Sequence, residues 1–202
     1  MATPTDAARG ARRRAGWDSG WWRLARRCPS PNRGPRPPGT AVPLAIVHSI
    51  SLPPGVYGGD AVEALFTNRL DFDAHPYYAT LRGLQVSAHF YVQRDGATLQ
   101  FVPVDERAWH AGVSCWRGRE NCNDWSVGIE LEGLEGGAFE AAQVRRLATL
   151  LRALQRHCGI AEVVGHEHVA PGRKCDPGPG FDWLALQRAL RTCPIAVSPA
   201  TD

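Results

Sequence analysis

The nearly continuous apolar run from Pro43 to Ile50 is the feature that most limits the fold of this chain. Apolar residues fill the run until His48 and Ser49. A strand with one face in water alternates apolar and polar residues, whereas a strand covered on both faces is apolar along its length. The run therefore predicts a buried strand of a sheet, ending in polar residues where α/β folds place their sites.

Three other segments have the patterns of strands. The Asp95-Gly96 pair separates two β-rich runs and predicts a hairpin over residues 86–104. Residues 126–132 alternate apolar and polar side chains, and Val163-Val164 is a further short apolar run that leads into His166. Together with the first run, these segments predict a sheet of at least five strands.

Helices are predicted between and after these strands. Asp60 is the expected N-cap of a short helix over 60–68. Apolar residues spaced three and four apart predict a longer helix over about 140–157, with Gly159 as its stop. Asp182 is the expected N-cap of a last helix that runs to Arg191. Strands mixed with helices in this way predict an α/β fold, with a central mixed β-sheet flanked by helices.

Length and charge predict one domain with two extensions. The chain has 202 residues, of which 44% are hydrophobic and 21% charged, as in soluble globular proteins. Residues 1–40 hold nine arginines against two aspartates. We therefore expect a basic, disordered extension over 1–16, a single domain over 17–193 and a flexible tail over 194–202. Contact of the basic leader with nucleic acid is the less favoured alternative.

Compartment and partners follow from what the sequence lacks. No stretch approaches the roughly 20 apolar residues of a membrane span. The basic N-terminus is not followed by the apolar core of a signal peptide. We expect a cytoplasmic monomer with reduced cysteines and with no membrane or nucleic-acid partner. The six cysteines include no CxxC pair, which excludes a four-cysteine zinc knuckle.

One loop combines several chemically active side chains. Lys174 is the only lysine of the chain and lies in a Gly/Pro-rich loop between His166 and Asp176. Imidazole and carboxylate are zinc-ligand types, and an ammonium beside a metal can stabilise an oxyanion. His48 lies at the end of a second predicted strand. These three candidate ligands match no local metal-binding motif, so spacing alone leaves a structural role for each histidine open.

Glu130 is the fourth candidate. Strand alternation puts it on the same face as Glu132 and opposite Ile129 and Leu131. An ordinary half-exposed strand would explain this pattern without any chemistry.

Seven short motifs between Val47 and Pro179 resemble those of N-acetylmuramoyl-L-alanine amidases, most closely the cytoplasmic enzymes that act on anhydro-muropeptides during cell-wall recycling. The resemblance covers roughly residues 20–187. The motifs occur in the same order as in that family: Val47-His48, Ser87-Ala88-His89, Ala108–Gly112, Asn123-Asp124, Val127–Gly133, Gly165-His166 and Arg173–Pro179. The resemblance implies the zinc amidase fold that is shared with peptidoglycan recognition proteins. It also implies hydrolysis of the amide bond between the lactyl group of (anhydro-)N-acetylmuramic acid and L-alanine.

The resemblance assigns roles residue by residue. His48, His166 and Asp176 match the ligands of one zinc ion, Glu130 matches the catalytic carboxylate, and Lys174 matches the catalytic lysine. A small anhydro-muropeptide would be the substrate. The side chains expected to line its groove are Ser49, His89, Trp109 and His110, with core positions as the alternative for the last three.

Several alternatives remain open in the sequence. His168 would share a strand face with His166 if that strand continued, and Cys175 is a stronger zinc ligand by type than Asp176. Gln85 and Asn121 stand where relatives carry arginine, which leaves the preferred peptide length open. A non-catalytic muropeptide-binding module is the alternative function, although such modules typically lack one of the zinc ligands.

Overall fold

A seven-stranded mixed sheet forms the centre of the computed structural model, which describes residues 16–198. Across the sheet the order is β13 (Ala196–Val197), β12 (Glu162–Gly165), β5 (Leu44–Ile50), β11 (Ser126–Glu132), β6 (Phe90–Val92), β7 (Thr98–Gln100) and β3 (Arg26–Arg27). Every neighbouring pair is parallel except the hairpin β6–β7, which is antiparallel. The predicted mixed sheet and the predicted hairpin are confirmed.

Three two-stranded ribbons lie outside this sheet in the described residues. They pair β1 (Trp17–Asp18) with β2 (Trp21–Trp22), β4 (Arg33–Pro35) with β8 (Glu106–Ala108), and β9 (Cys115–Trp116) with β10 (Arg119–Glu120). The sequence did not predict these strands, because two or three residues are too few to show a period.

Within residues 16–198, five α-helices complete the fold: α1 (Ala61–Phe66), α2 (Pro76–Ala79), α3 (Ala141–Cys158), α4 (His166–Val169) and α5 (Trp183–Leu190). A 3-10 turn spans Cys122–Asp124. Helix α3 ends at Gly159 in the left-handed conformation (φ 82°), and the Asp182 side chain accepts a hydrogen bond from the Ala185 N–H at the start of α5. The predicted helices are confirmed to within two residues, and so are the end signals Gly159 and Asp182. Asp60 stands at the N-cap position of α1, but its side chain makes no capping hydrogen bond.

The two faces of the central strands pack against different elements. Ala45 and Val47 of β5, with Val127, Ile129 and Leu131 of β11, belong to the same apolar core as the buried leucines of α3 and α5. On the opposite face, Leu44 and Ile46 pack against the loop that carries Ala111 and Trp125, and against α4. Strand β11 is therefore buried along its whole length, and the alternative of a half-exposed strand is wrong.

The chain ends differ in part from the prediction. Residues 194–202 were expected to form a flexible tail, but Ala196–Val197 pairs with Glu162 and Val163 as the outermost strand of the sheet. Its apolar residues extend the sheet where β12 would otherwise be an edge. The predicted extension over 1–16 lies outside the described residues except for Gly16, as do residues 199–202. Among the described residues, no helix has the length and apolar character needed to cross a bilayer.

Candidate active site

Three polar side chains meet at the carboxyl ends of two neighbouring parallel strands of the central sheet. His48 lies in β5, and His166 is the first residue after the neighbouring parallel strand β12, whose Gly165 pairs with Val47. Because parallel neighbours end at the same edge, this register brings the two imidazoles together. Asp176 arrives on the loop after α4, and its carbonyl accepts a hydrogen bond from the Glu167 N–H (2.9 Å).

The three side chains form a tight triangle that could hold a metal ion. Nδ1 of His48 lies 2.9 Å from Nδ1 of His166. Oδ2 of Asp176 lies 3.2 Å from the first nitrogen and 3.1 Å from the second. Ligands of a tetrahedral zinc ion with bonds near 2.0 Å are separated by about 3.3 Å. The triangle therefore has nearly the size that such an ion requires, and the buried position of all three residues fixes it.

The hydrogen positions on the two rings and the charge of Asp176 also favour a metal ion at this triangle. Nε2 of His166 lies 3.1 Å from the Ala111 carbonyl, which can only accept a hydrogen bond, so Nε2 carries a hydrogen and Nδ1 is the nitrogen that can offer a lone pair. Burial lowers the pKa of His48 to about 4, so this ring is neutral near pH 7. A carboxylate and imidazole lone pairs facing one point favour a cation there.

Glu130 lies beside this triangle. In the parallel register of β5 and β11 it is the partner of His48, so both side chains are on the same face. Its Oε2 is buried and has no hydrogen-bond partner among residues 16–198. Burial, together with the negative charge of Asp176, raises the pKa of Glu130 well above its usual value, while the charge of Lys174 lowers it. A carboxylate in such a position is ready to take up a proton.

Lys174 lies on the loop that joins α4 to Asp176. Its side chain is exposed and lines the groove above the triangle, and its backbone N–H is anchored on the Ala170 carbonyl (3.0 Å). It is close enough to Glu130 and His48 to lower the pKa of both. The structure therefore brings all five predicted metal and catalytic residues to one place.

The groove has a volume of about 580 Å³ and two kinds of wall. Its floor carries the triangle and Glu130. Its far side is apolar and comes from α1, α2 and the segments beside them: Leu52, Leu65, Phe66, Tyr77, Leu81 and Val86. Sequence reasoning missed this wall, since the apolar residues of a short helix look the same whether they face a core or a groove.

The four predicted substrate contacts divide into two groups. Ser49, Trp109 and His110 line the groove. His89 does not, because it is 0% exposed. Its Nδ1 accepts from the Gly128 N–H (3.0 Å) and its Nε2 donates to the Glu106 carbonyl (3.0 Å). The structure therefore places His89 in the core position that was its alternative, where its side chain links the backbones of Gly128 and Glu106.

The alternative ligands do not reach the triangle. The strand ends at Gly165 and a helix begins at His166, so His168 leaves the face on which His166 lies. Nδ1 of His168 instead accepts from the Gly165 N–H (2.8 Å), and its ring packs against Trp183. Cys175 is exposed, whereas Asp176 is buried.

The two positions that lack the expected arginines also differ from each other. Gln85 lines the groove, but Asn121 does not and starts the 3-10 turn with a left-handed backbone (φ 53°). Arg173 lines the groove as well, and its Nη2 donates to the carbonyls of Ala111 (2.6 Å) and Val113 (2.7 Å). Its guanidinium is thus partly used to hold the loop.

Comparison with known proteins agrees with this geometry. Residues 38–179 match the family model of N-acetylmuramoyl-L-alanine amidases. The chain is 52% identical to the 1,6-anhydro-N-acetylmuramyl-L-alanine amidase AmpD of Citrobacter freundii, over 87% of this chain and 94% of that protein.

Solved structures show the same fold. A crystal structure of a selenomethionine derivative of AmpD superposes with a TM-score of 0.82 at 50% identity, covering 85% of this chain and 97% of the other. The Escherichia coli amidase AmiD, solved with the substrate anhydro-N-acetylmuramic acid-L-Ala-D-γ-Glu-L-Lys, is 31% identical with a TM-score of 0.52, covering 76% and 60% of the two chains. The chain therefore belongs to the N-acetylmuramoyl-L-alanine amidase family.

Proposed function

We propose that this protein is a zinc-dependent amidase that hydrolyses the bond between the lactyl group of anhydro-N-acetylmuramic acid and the L-alanine of the stem peptide. The observation that carries the proposal is the triangle of His48, His166 and Asp176 on the floor of a groove, with the carboxylate of Glu130 beside it. The family of the chain and the substrate named for its relatives AmpD and AmiD support the choice of reaction.

His48, His166 and Asp176 would hold one zinc ion. Two imidazoles and one carboxylate are a donor set of catalytic zinc sites, which keep one position for water or substrate. When bound, zinc supplies Lewis acidity, which polarises a carbonyl oxygen and makes water acidic enough to act as a nucleophile near neutral pH.

Glu130 would move the proton. Its carboxylate takes a proton from the attacking water and passes it to the nitrogen of L-alanine as the carbon–nitrogen bond breaks. A raised pKa suits both steps, because the group must bind the proton and also release it. The products are an anhydro-muramyl acid and a peptide with a free L-alanine amine.

Lys174 would stabilise the negative charge that develops on the carbonyl oxygen during attack. An ammonium held at the edge of a partly dehydrated groove is suited to this role. Ser49, Trp109 and Gln85 would contact the bound muropeptide, and the apolar wall from α1 and α2 would exclude water around it.

We further propose that the protein acts as a monomer in the cytoplasm, on a small muropeptide and not on nucleic acid or membrane. The anhydro-muramyl substrate in the name of the relative AmpD supports the choice of a small muropeptide. An exported amidase that cuts intact cell wall is the alternative. Cell fractionation, together with hydrolysis assays on soluble muropeptide and on insoluble sacculi, separates the two.

The central experiment compares zinc-dependent hydrolysis of an anhydro-muramyl tripeptide by the native chain and by Glu130→Ala. Removing the proton acceptor should lower kcat by at least about a hundredfold. Glu130→Gln, which keeps the shape of the side chain, should show a similar loss with unchanged zinc content and substrate affinity.

The outcome also decides between catalysis and binding. Muropeptide binding by the zinc-loaded native chain without any hydrolysis would favour the non-catalytic binding module. A variant lacking residues 1–16 should keep full activity, which would limit any nucleic-acid contact of the basic leader to an accessory role.

A further inference from the structure

His48 makes a second contact on the side of its ring that points away from the triangle. Its Nε2 lies 3.0 Å from Nδ1 of His110, and the two rings meet at an interplanar angle of 88°. One of these two nitrogens must carry the hydrogen. Which of them does so decides whether Nδ1 of His48 presents a lone pair to the triangle, because a neutral imidazole carries a single N–H.

The contact of His110 with Ser126, on the other side of its ring, determines the direction of this hydrogen bond. The hydroxyl of Ser126 lies 2.5 Å from the Cys122 carbonyl, to which it can only donate. The hydroxyl has only one hydrogen, and the Cys122 carbonyl accepts it. In its contact with Nε2 of His110, at 3.4 Å, the Ser126 oxygen must therefore be the acceptor. His110 therefore carries its hydrogen on Nε2, and its Nδ1 is an acceptor. It follows that Nε2 of His48 donates to His110 and that Nδ1 of His48 carries a lone pair.

Packing keeps His110 in this place. Gly128 of β11 lies directly beneath its ring, and a Cβ added there would come within 2.4 Å of the ring carbon Cγ. The backbone N–H groups of His110 and Ala111 both donate to Oδ1 of Asn123, at 3.0 and 2.8 Å. His110 is thus fixed through its ring and its backbone.

We propose that His110 is a positioning residue: it holds His48 in the tautomer with the hydrogen on Nε2, so that Nδ1 can bind the metal. Ser126 fixes His110 in turn. The proposal rests on the proposed function, since it takes His48 as a metal ligand. Two consecutive residues then set the tautomers of both ligand histidines. The His110 ring does so for His48, and the Ala111 carbonyl does so for His166.

The test uses two substitutions at one position. His110→Asn keeps an acceptor oxygen near the place of Nδ1, whereas His110→Phe keeps the bulk of the ring and removes the acceptor. Zinc affinity is measured by competition with a chelator, and the tautomer of His48 in the metal-free protein by nitrogen-15 NMR of the histidine rings. We expect native His48 to carry its hydrogen on Nε2. The Phe variant should bind zinc about ten- to a hundredfold more weakly than the native chain, and the Asn variant should recover most of the loss.

Two results would overturn the proposal: a native His48 with its hydrogen on Nδ1, or equal zinc affinity for the native chain and the folded Phe variant. If His110→Phe does not fold, Ser126→Ala takes its place; weaker zinc binding with a mixed His48 tautomer supports the proposal, and no change in either overturns it. Neither measurement involves substrate. A native chain that shows the expected tautomer and binds zinc but hydrolyses no muropeptide would refute the proposed function alone.

Discussion

At the scale of single residues, Glu130 lowers the stability of the fold that holds it. Its Oε2 is buried without a hydrogen-bond partner in the described part of the chain, beside the negative charge of Asp176. Burial and this charge favour the protonated form, so ionisation of Glu130 at neutral pH disfavours the folded state of the metal-free protein. A group placed for proton transfer commonly has such a cost.

We therefore expect Glu130→Gln to stabilise the metal-free protein in a pH-dependent way. The folded pKa is raised above the usual 4.5. Below that pH the carboxyl is protonated in both states, and the variant gains nothing. As the pH rises above it, the unfolded state ionises first and native stability falls, so the gain of the variant grows. At pH 8 we expect on the order of 1 kcal/mol, or about 2–4 °C in Tm.

Thermal unfolding of chelator-treated protein between pH 4 and pH 8 measures this effect. Glu120→Gln is the matched control, since it changes an exposed carboxylate, and its Tm should stay close to that of the native chain at every pH in the range. A Glu130→Gln variant that is less stable than the native chain at pH 8 would contradict the argument.

At the scale of elements, strand β11 depends on a glycine. A Cβ on Gly128 would lie 2.4 to 2.6 Å from ring atoms of His110, closer than any real contact allows. We expect Gly128→Ala to displace that ring and to destabilise the protein by about 1–3 kcal/mol. Zinc affinity should fall with it, because His48 loses its partner. Denaturant unfolding and chelator competition measure the two effects.

Gly34 in strand β4 provides the control for that substitution. An added Cβ there meets only Nη2 of Arg107, at 3.8 Å, which is an ordinary contact. Gly34→Ala should change stability by no more than about 0.5 kcal/mol and should leave zinc affinity unchanged. Equal effects of the two alanines would show that strand propensity, and not the His110 ring, determines the result.

The sequence predicts those elements whose signals are local. The apolar run over 43–50, the Asp95-Gly96 turn and the cap residues Asp60 and Asp182 were sufficient to place strands and helices close to their observed bounds. The motifs of the family resemblance located the residues of the triangle and Glu130. Side chains that reach the same region are harder to distinguish. His89 comes just before strand β6 and His110 just after strand β8. Only tertiary packing makes one a backbone link and the other a neighbour of His48.

The strand at Ala196–Val197 shows the same limit. Its residues have no pattern of their own, and they form a strand only because Glu162 and Val163 offer an open edge. The helix at His166–Val169 is likewise too short for a period, so the sequence could not show that His168 turns away from His166. Long-range partners therefore decide what the local pattern leaves open.

At the scale of the whole molecule, the candidate metal site joins parts of the chain that are distant in sequence. His48 comes from strand β5, whereas His166 and Asp176 come from α4 and the loop after it. A cation bound here would neutralise the carboxylate and hold the loop against the sheet edge. Because it binds the folded state and not the unfolded chain, it must also stabilise the protein as a whole.

Removal of zinc should therefore lower Tm. With free zinc at a hundred times its Kd, the stabilisation is about 2.7 kcal/mol, which corresponds to about 5–11 °C for a chain of this size. His166→Ala should unfold at the same temperature with and without zinc, since the triangle has lost a ligand. His168→Ala and Cys175→Ser should both keep the zinc response of the native chain, because neither side chain reaches the triangle. A zinc response that is lost in one of these two variants and kept in His166→Ala would place the metal on a different set of ligands, and the loop around Lys174 would then need a different assignment.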